Sequence, residues 1–262
     1  MLSCDFPPPV GVTHGPRCGP SRLVCLSARS RQEGAAIATI TPELALLSSG
    51  AGFLTGALLV FIAPRLVASR YAEEIPLTPA IALVPLLGCL AAGWRPIRGT
   101  FTQLLVAGTF LGLAARYGAG ARLVLACASC ALLILIAYVD LDHRLVLNRL
   151  SYPGVVLSVG TAALWPGLGV VNALLGAGAG LLIFGVLELI GRGALGTGDT
   201  KLAALIGAMR GLPGVFNALL LGVILGGIGG AFYLFVLRRG RKEYMAYGPY
   251  LAAGAILSFL LS

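Results

Sequence analysis

Long apolar runs separated by short polar or basic turns fill the chain from residue 44 onward, falling near 44–63, 79–94, 101–115, 122–139, 153–170, 171–190, 200–212, 213–237 and 247–262. A helix needs ~20 apolar residues to cross the hydrocarbon core of a bilayer, so 44–63, 122–139, 171–190 and 213–237 read as spans. The run 79–94 is short, and 200–212 is too short to cross unless it is tilted or buried by its neighbours. Glycines at helical spacing, Gly176/Gly180 and Gly222/Gly226/Gly230, make the small-xxx-small pattern that lets membrane helices approach closely. The pattern predicts an all-α polytopic membrane protein, a bundle of about eight to nine transmembrane helices. Residues 1–42 are different, with Pro7-Pro8-Pro9, several Ser and Gly, and Arg17, Arg22, Arg29 and Arg31. They are expected to be a disordered tail, leaving 43–262 as the membrane-embedded domain.

Composition supports this division. The 262 residues are 58% hydrophobic and 11% charged, under half the usual ~25% of a soluble domain. Too few polar side chains exist to coat a globule, and the mean hydropathy is +0.92. The net charge of +9 does not point to nucleic acid, because the basic residues lie mostly between apolar runs, where they orient spans and meet anionic headgroups. Arg238, Arg239, Arg241 and Lys242 form the densest such cluster and place 238–246 in the cytoplasm. Counting spans backward puts 140–152 and 191–200 on that same side, and 116–122, 167–171 and 211–214 outside. The six cysteines suggest no disulfide framework. Cys127 and Cys130 form a lone Cys-x-x-Cys on one helical face, two ligands where structural zinc needs four. With His143 the only histidine beyond the tail, no metal site is expected.

The carboxylates are the informative residues. Between Glu74 and Glu243 there are four: Asp140, Asp142, Glu188 and Asp199. Ionisable groups at membrane depth are costly and functional by default. Asp140 closes one span and Asp199, 59 positions later, opens another in Gly196-Thr197-Gly198-Asp199-Thr200-Lys201-Leu202. The inferred topology puts both at cytoplasmic helix ends, where facing helices could let them share a proton. That arrangement suits aspartyl peptide hydrolysis, with one acid ionised to activate water and the other protonated to polarise the carbonyl. Gly196 and Gly198 would let a substrate strand come close to the acid.

Each supporting residue has a plainer reading. Asp199 taken alone could be a helix cap. Asp142, beside His143 and Arg144, reads as a solvated or ion-paired loop residue, and otherwise as a second acid. Lys201 reads as a headgroup contact or as a cation near the pair. Glu188 reads as snorkelling to the interface or pairing with Arg192. A cation- or proton-coupled transporter using intramembrane Asp residues is the alternative from another functional class. It would favour an internal repeat and helices broken near the midplane, and no repeat is present.

Three blocks, in order, resemble the type IV prepilin peptidase family of membrane aspartyl proteases. Asp140-Leu141-Asp142, continuing to Asn148-Arg149-Leu150-Ser151-Tyr152-Pro153, resembles the family's first aspartate stretch. Residues 196–202 match its Gly-x-Gly-Asp-x-Lys-Leu motif. Tyr247-Gly248-Pro249-Tyr250-Leu251-Ala252 resembles the C-terminal block usually written Phe-Gly-Pro-Tyr-Leu. Together they cover about 122–262. The resemblance implies that Asp140 and Asp199 are the catalytic pair, cutting at the cytoplasmic face of a bacterial inner membrane. It also implies pilin-like or pseudopilin precursors as substrates, each with a short basic leader cut after a Gly that precedes a hydrophobic helix. Many members also methylate the new N-terminus from S-adenosylmethionine, using a cytoplasmic segment with two Cys-x-x-Cys pairs. Here Cys89 stands alone between residues 64 and 100, so peptidase activity without methylation, and without a cofactor, is expected. The family's Pro in the first motif is replaced by Leu147.

Overall fold

In a computed structural model, residues 41–71, 96–143, 148–165, 167–191, 196–235 and 247–261 are described. They form α1 (Pro42–Tyr71), α2 (Pro96–Tyr117), α3 (Ala121–His143), α4 (Asn148–Thr161), a 3-10 turn (Ala162–Leu164), α5 (Val170–Ile190), α6 (Thr197–Phe235) and α7 (Gly248–Leu261). No strand occurs among the described residues. Every apolar run but one contains helix; the exception, 79–94, lies outside the described residues, as do residues 1–40 of the expected tail.

Helix α6 contains a break that the apolar pattern anticipates between 200–212 and 213–237. Gly211 takes φ +57° and Leu212 is extended, at φ −90° and ψ 140°. Only a residue without Cβ adopts that left-handed φ cheaply, and a side chain there would also run into Leu168 and Asn172. Pro213 suits the first position of the next helix, where its missing N–H costs nothing. The Asn172 amide locks the turn from α5: its Nδ2 donates to the Leu212 carbonyl at 3.0 Å and its Oδ1 accepts from the Leu212 N–H at 2.9 Å. Residues 197–210 are called α6a below, and 213–235 α6b.

Glycine contacts fix the helix directions. Gly176 lies against the Gly207 carbonyl and Gly211, Gly180 against the Ala203 carbonyl, and Gly185 reaches Thr200, so α5 and α6a are antiparallel with backbones touching. Gly254 meets Gly222 and Ala218, Tyr247 rests on Gly226, and Tyr250 on Gly229, so α6b and α7 are antiparallel too. In lipid such van der Waals contact, rather than the hydrophobic effect, holds helices together. The stripe on α6b differs from the expected one in a single member: Gly229 takes a tyrosine ring, whereas nothing lies within 4 Å of a Cβ placed on Gly230. Tyr247, just before α7, and Tyr250 within it reach Gly226 and Gly229, and three-residue spacing brings those two glycines to one face.

Four described stretches are long and apolar enough to cross a membrane: Pro42–Ala63, Ala121–Leu141, Val170–Ile190 and Thr197–Phe232, the last made of α6a and α6b on either side of the break; Leu150–Leu164 and Gly248–Leu261 are shorter. Among the described residues, full-length crossings are therefore fewer than the eight to nine expected. The expected run 153–170 shows why. Its α-helix starts at Asn148 and stops at Thr161 before the 3-10 turn, and its 14 residues span only ~21 Å of a ~30 Å core. Helix α6a is also short but is enclosed on all sides, with Leu202 through Met209 buried. An apolar helix without a polar face belongs in a bundle interior.

Helices α3, α5 and α6b run toward one end of the bundle, and α6a and α7 run away from it. That end gathers the last turn of α3, the last turns of α5 and the first turns of α6a and α7. Away from it, the Tyr117 hydroxyl donates to the Phe259 carbonyl at 3.0 Å. Trp165 sits edge-on to both rings, and the Arg210 guanidinium lies 4.5 Å from the centre of the Phe259 ring. These contacts tie α2, α6a and α7 together about ten residues, or ~15 Å, along the helices from the carboxylates.

Candidate active site

Asp140 and Asp199 come together where the four helix ends meet. Asp140 is 4% exposed, in the last turn of α3. Asp199 is 9% exposed, in the first turn of α6a. Their carboxylates lie within electrostatic reach of each other. Two carboxylates withdrawn from water and within each other's field do not both hold a charge cheaply.

Each acid is held by backbone from a different part of the chain. Gly196, just before α6a, donates its N–H to the Asp199 carboxylate, while the Asp199 N–H donates to the Gly196 carbonyl at 3.0 Å. The first bond is the N3-to-N-cap half of a capping box, with Gly196 at the N-cap and Asp199 at N3, and the second is a backbone turn bond. The plain capping reading of Asp199 is thus part of the structure, and the cap also aims its carboxylate. Asp140 accepts from the Gly248 N–H at the start of α7. A Cβ on Gly248 would stand 2.5 Å from Asp140 Oδ2, so the absence of a side chain there is what admits the carboxylate.

Glu188 joins the site from α5. It accepts a 2.5 Å hydrogen bond from the Thr200 hydroxyl, and its charge reaches Asp199. The snorkelling expectation gives way to this cross-helix bond, because a hydroxyl on the first turn of α6a lies within reach; Arg192 lies outside the described residues. Lys201 sits 5.4 Å from the centre of the Tyr152 ring on α4, which puts its ammonium on an aromatic face. Gly196 is exposed and Gly198 half-buried beside Asp199. Asp142 belongs to α3, and its side chain lies outside what the structure describes.

Tyr247 precedes α7 with its ring on Gly226. Burial, and the nearby Asp199 charge, push its phenol above its ordinary pKa. Cys130 is buried and Cys127 half-buried on α3. Among the described residues, no three His, Cys, Asp or Glu side chains gather closely enough to hold a metal ion. Glu188, Tyr247 and Gly248 were not singled out as site residues from sequence. Glu188 carried a signal, as one of four carboxylates in a long apolar stretch, and the other two stand inside the third of the resembling blocks.

A bundle of apolar helices with two buried, electrostatically coupled carboxylates at its helix ends has the make-up of a membrane-embedded aspartyl protease. The profile of the type IV leader peptidase family matches residues 127–231, which include both acids. The chain is 30% identical over 192 residues to a prepilin leader peptidase/N-methyltransferase of Bacillus subtilis, covering 70% of this chain and 77% of that protein. It is 30% identical to the protein of the same name from Xanthomonas campestris pv. campestris, over 73% of this chain and 62% of that one. For the Myxococcus xanthus protein of that name the identity is 33%, over 64% and 51%. No solved structure matches the chain. The chain belongs to the type IV leader peptidase family, and it is a protease.

Proposed function

We propose that this protein is an aspartyl endopeptidase that removes the short basic leader from type IV prepilin-like precursors at the cytoplasmic face of a bacterial inner membrane. The observation that carries the reading is the meeting of Asp140 and Asp199, each buried, each held by a backbone N–H, and each within the other's field. The names of the relatives supply the substrate class. The basic residues between the apolar runs support the cytoplasmic side. The whole chain forms a bundle of eight or nine helices, not all of them full crossings.

In this mechanism one carboxylate is ionised and takes a proton from water as that water attacks the scissile carbonyl carbon. The other donates a hydrogen bond to the carbonyl oxygen and passes its proton to the leaving amine as the C–N bond breaks. Gly196 and Gly198 leave room for the substrate strand, Lys201 and Asp142 are supporting residues, and neither metal nor cofactor enters the hydrolysis. Although the relatives' names include N-methyltransferase, cleavage proceeds here without methylation, in keeping with the single cysteine between residues 64 and 100. The transporter alternative has less support, since the α6 break at Gly211 lies away from the carboxylates.

The test is cleavage of a purified pilin precursor by the detergent-solubilised protein, with Asp140→Asn and Asp199→Asn alongside. Loss of cleavage in both variants, with normal membrane insertion, is the expected result. Near wild-type cleavage by either one overturns the paired-acid mechanism.

A further inference from the structure

Arg210 closes α6a one residue before the break, at the end of the bundle away from the carboxylates, and the hydrolysis makes no use of it. The side chain is half-buried. Its guanidinium lies 4.5 Å from the centre of the Phe259 ring and donates to the Tyr117 phenol, whose own proton goes to the Phe259 carbonyl. These partners fix the guanidinium in place, and both are neutral. Gly214 brings no side chain over it: a Cβ there would stand 3.4 Å from Nε and 3.6 Å from Nη2 of Arg210.

Three turns meet around this cation. The Tyr117 and Trp165 rings, 5.9 Å apart and edge-on, join the turn at 118–120 to the one that precedes α5, and Leu168 from that second turn rests on Gly211 in the α6 break. The described glycines with left-handed φ, Gly118, Gly167, Gly169 and Gly211, all belong to these turns. Gly120, Gly167 and Gly169 are exposed. Exposed backbone outside a helix is not placed against hydrocarbon, so this end lies at headgroup depth, where Trp and Tyr gather. Arg116 and Arg122, both exposed, flank the first turn. Among the described residues the one acid at this end is Glu43, in the first turn of α1. A guanidinium offers a planar fork that binds phosphate through two N–H groups, and aromatic neighbours reduce the freedom it loses in doing so.

We propose that Arg210, with Tyr117 and Trp165 beside it, is a binding site for the phosphate of an anionic phospholipid in the outer leaflet. The outer side follows from the charge bias between the apolar runs. The lipid phosphate supplies the opposite charge, and its presence ties the three turns together. The site stands ~15 Å along the helices from the carboxylates, so it acts on stability, and it does not depend on the peptidase reading.

The test is the thermal midpoint of the full chain in a non-ionic detergent with phosphatidylglycerol, with phosphatidylcholine of the same acyl chains, or with inorganic phosphate. Phosphatidylglycerol should raise the wild-type midpoint by about 3–5 °C near saturation. Arg210→Gln should lose most of that gain, whereas Arg116→Gln keeps most of it. An equal gain in Arg210→Gln overturns the proposal, and so does an equal gain of the wild type in phosphatidylcholine. A matching gain from inorganic phosphate marks a free-phosphate site and overturns the lipid assignment. Should Arg210→Gln fail to fold, wild-type protein with a phosphatidylglycerol bearing a photoreactive headgroup decides the matter. Labelled peptides should contain Tyr117, Trp165 or Arg210, and labelling confined to other peptides refutes the site.

Discussion

The backbone N–H of Gly248 donates to the carboxylate of Asp140 across 108 positions of sequence, joining the start of α7 to the end of α3. The same glycine leaves the space that the carboxylate occupies, since a Cβ there would come within 2.5 Å of Asp140 Oδ2. One residue thus both holds and accommodates one of the two acids.

Gly248→Ala should therefore act on chemistry more than on folding. The added methyl forces the carboxylate aside, and small displacements of a reacting group cost on the order of 100-fold. We expect cleavage to fall by about that factor while the protein inserts and melts normally. A variant with wild-type kcat would show that Asp140 tolerates a new position.

Glu188 and Thr200 should behave as a pair. Thr200→Val and Glu188→Ala each remove the hydrogen bond that ties α5 to the first turn of α6a, and each should lower cleavage about tenfold. Glu188→Gln keeps an acceptor for the hydroxyl and should lose much less. A double-mutant cycle measures the coupling. Strict additivity of Thr200→Val and Glu188→Ala would remove the link.

The α6 turn depends on one side chain. Asn172→Ala deletes both hydrogen bonds to Leu212, at about 1 kcal/mol each, and leaves half-buried backbone groups without that partner. Unfolding stability in detergent should drop by about 2 kcal/mol or more, with kcat of the folded fraction retained because the turn lies away from the carboxylates. An unchanged denaturation midpoint would contradict this.

Chelation distinguishes a two-carboxylate hydrolase from a metal-dependent one. Overnight treatment with a chelator should leave cleavage intact, and metal-restorable loss of activity would refute the expectation.

The product should leave unmethylated. Mass spectrometry of a pilin co-expressed with this enzyme alone should show the mass of the free new N-terminus. A cofactor-dependent gain of one methyl group would assign a second activity to the chain.

Sequence alone determined the membrane class and the helical runs, and made the two acids conspicuous. Continuous apolar runs in a chain with few charges have no other stable solvent, and a carboxylate placed among them is conspicuous because it is costly there. The Gly176/Gly180 contact was also legible, since small residues four apart share a helix face. Tertiary structure alone decided how many helices are long enough to cross, because length depends on where a helix stops inside an apolar run that hydropathy reads as continuous, as at Thr161 within 153–170. It also decided that Gly229 rather than Gly230 packs on α7, since a glycine-rich helix offers several faces and its partner selects one. The recruitment of Glu188 by Thr200, of Gly248 by Asp140 and of Tyr247 toward Asp199 was hidden for the same reason. Each joins helix ends far apart in sequence, and spacing along one helix carries no information about which other helix end comes to meet it.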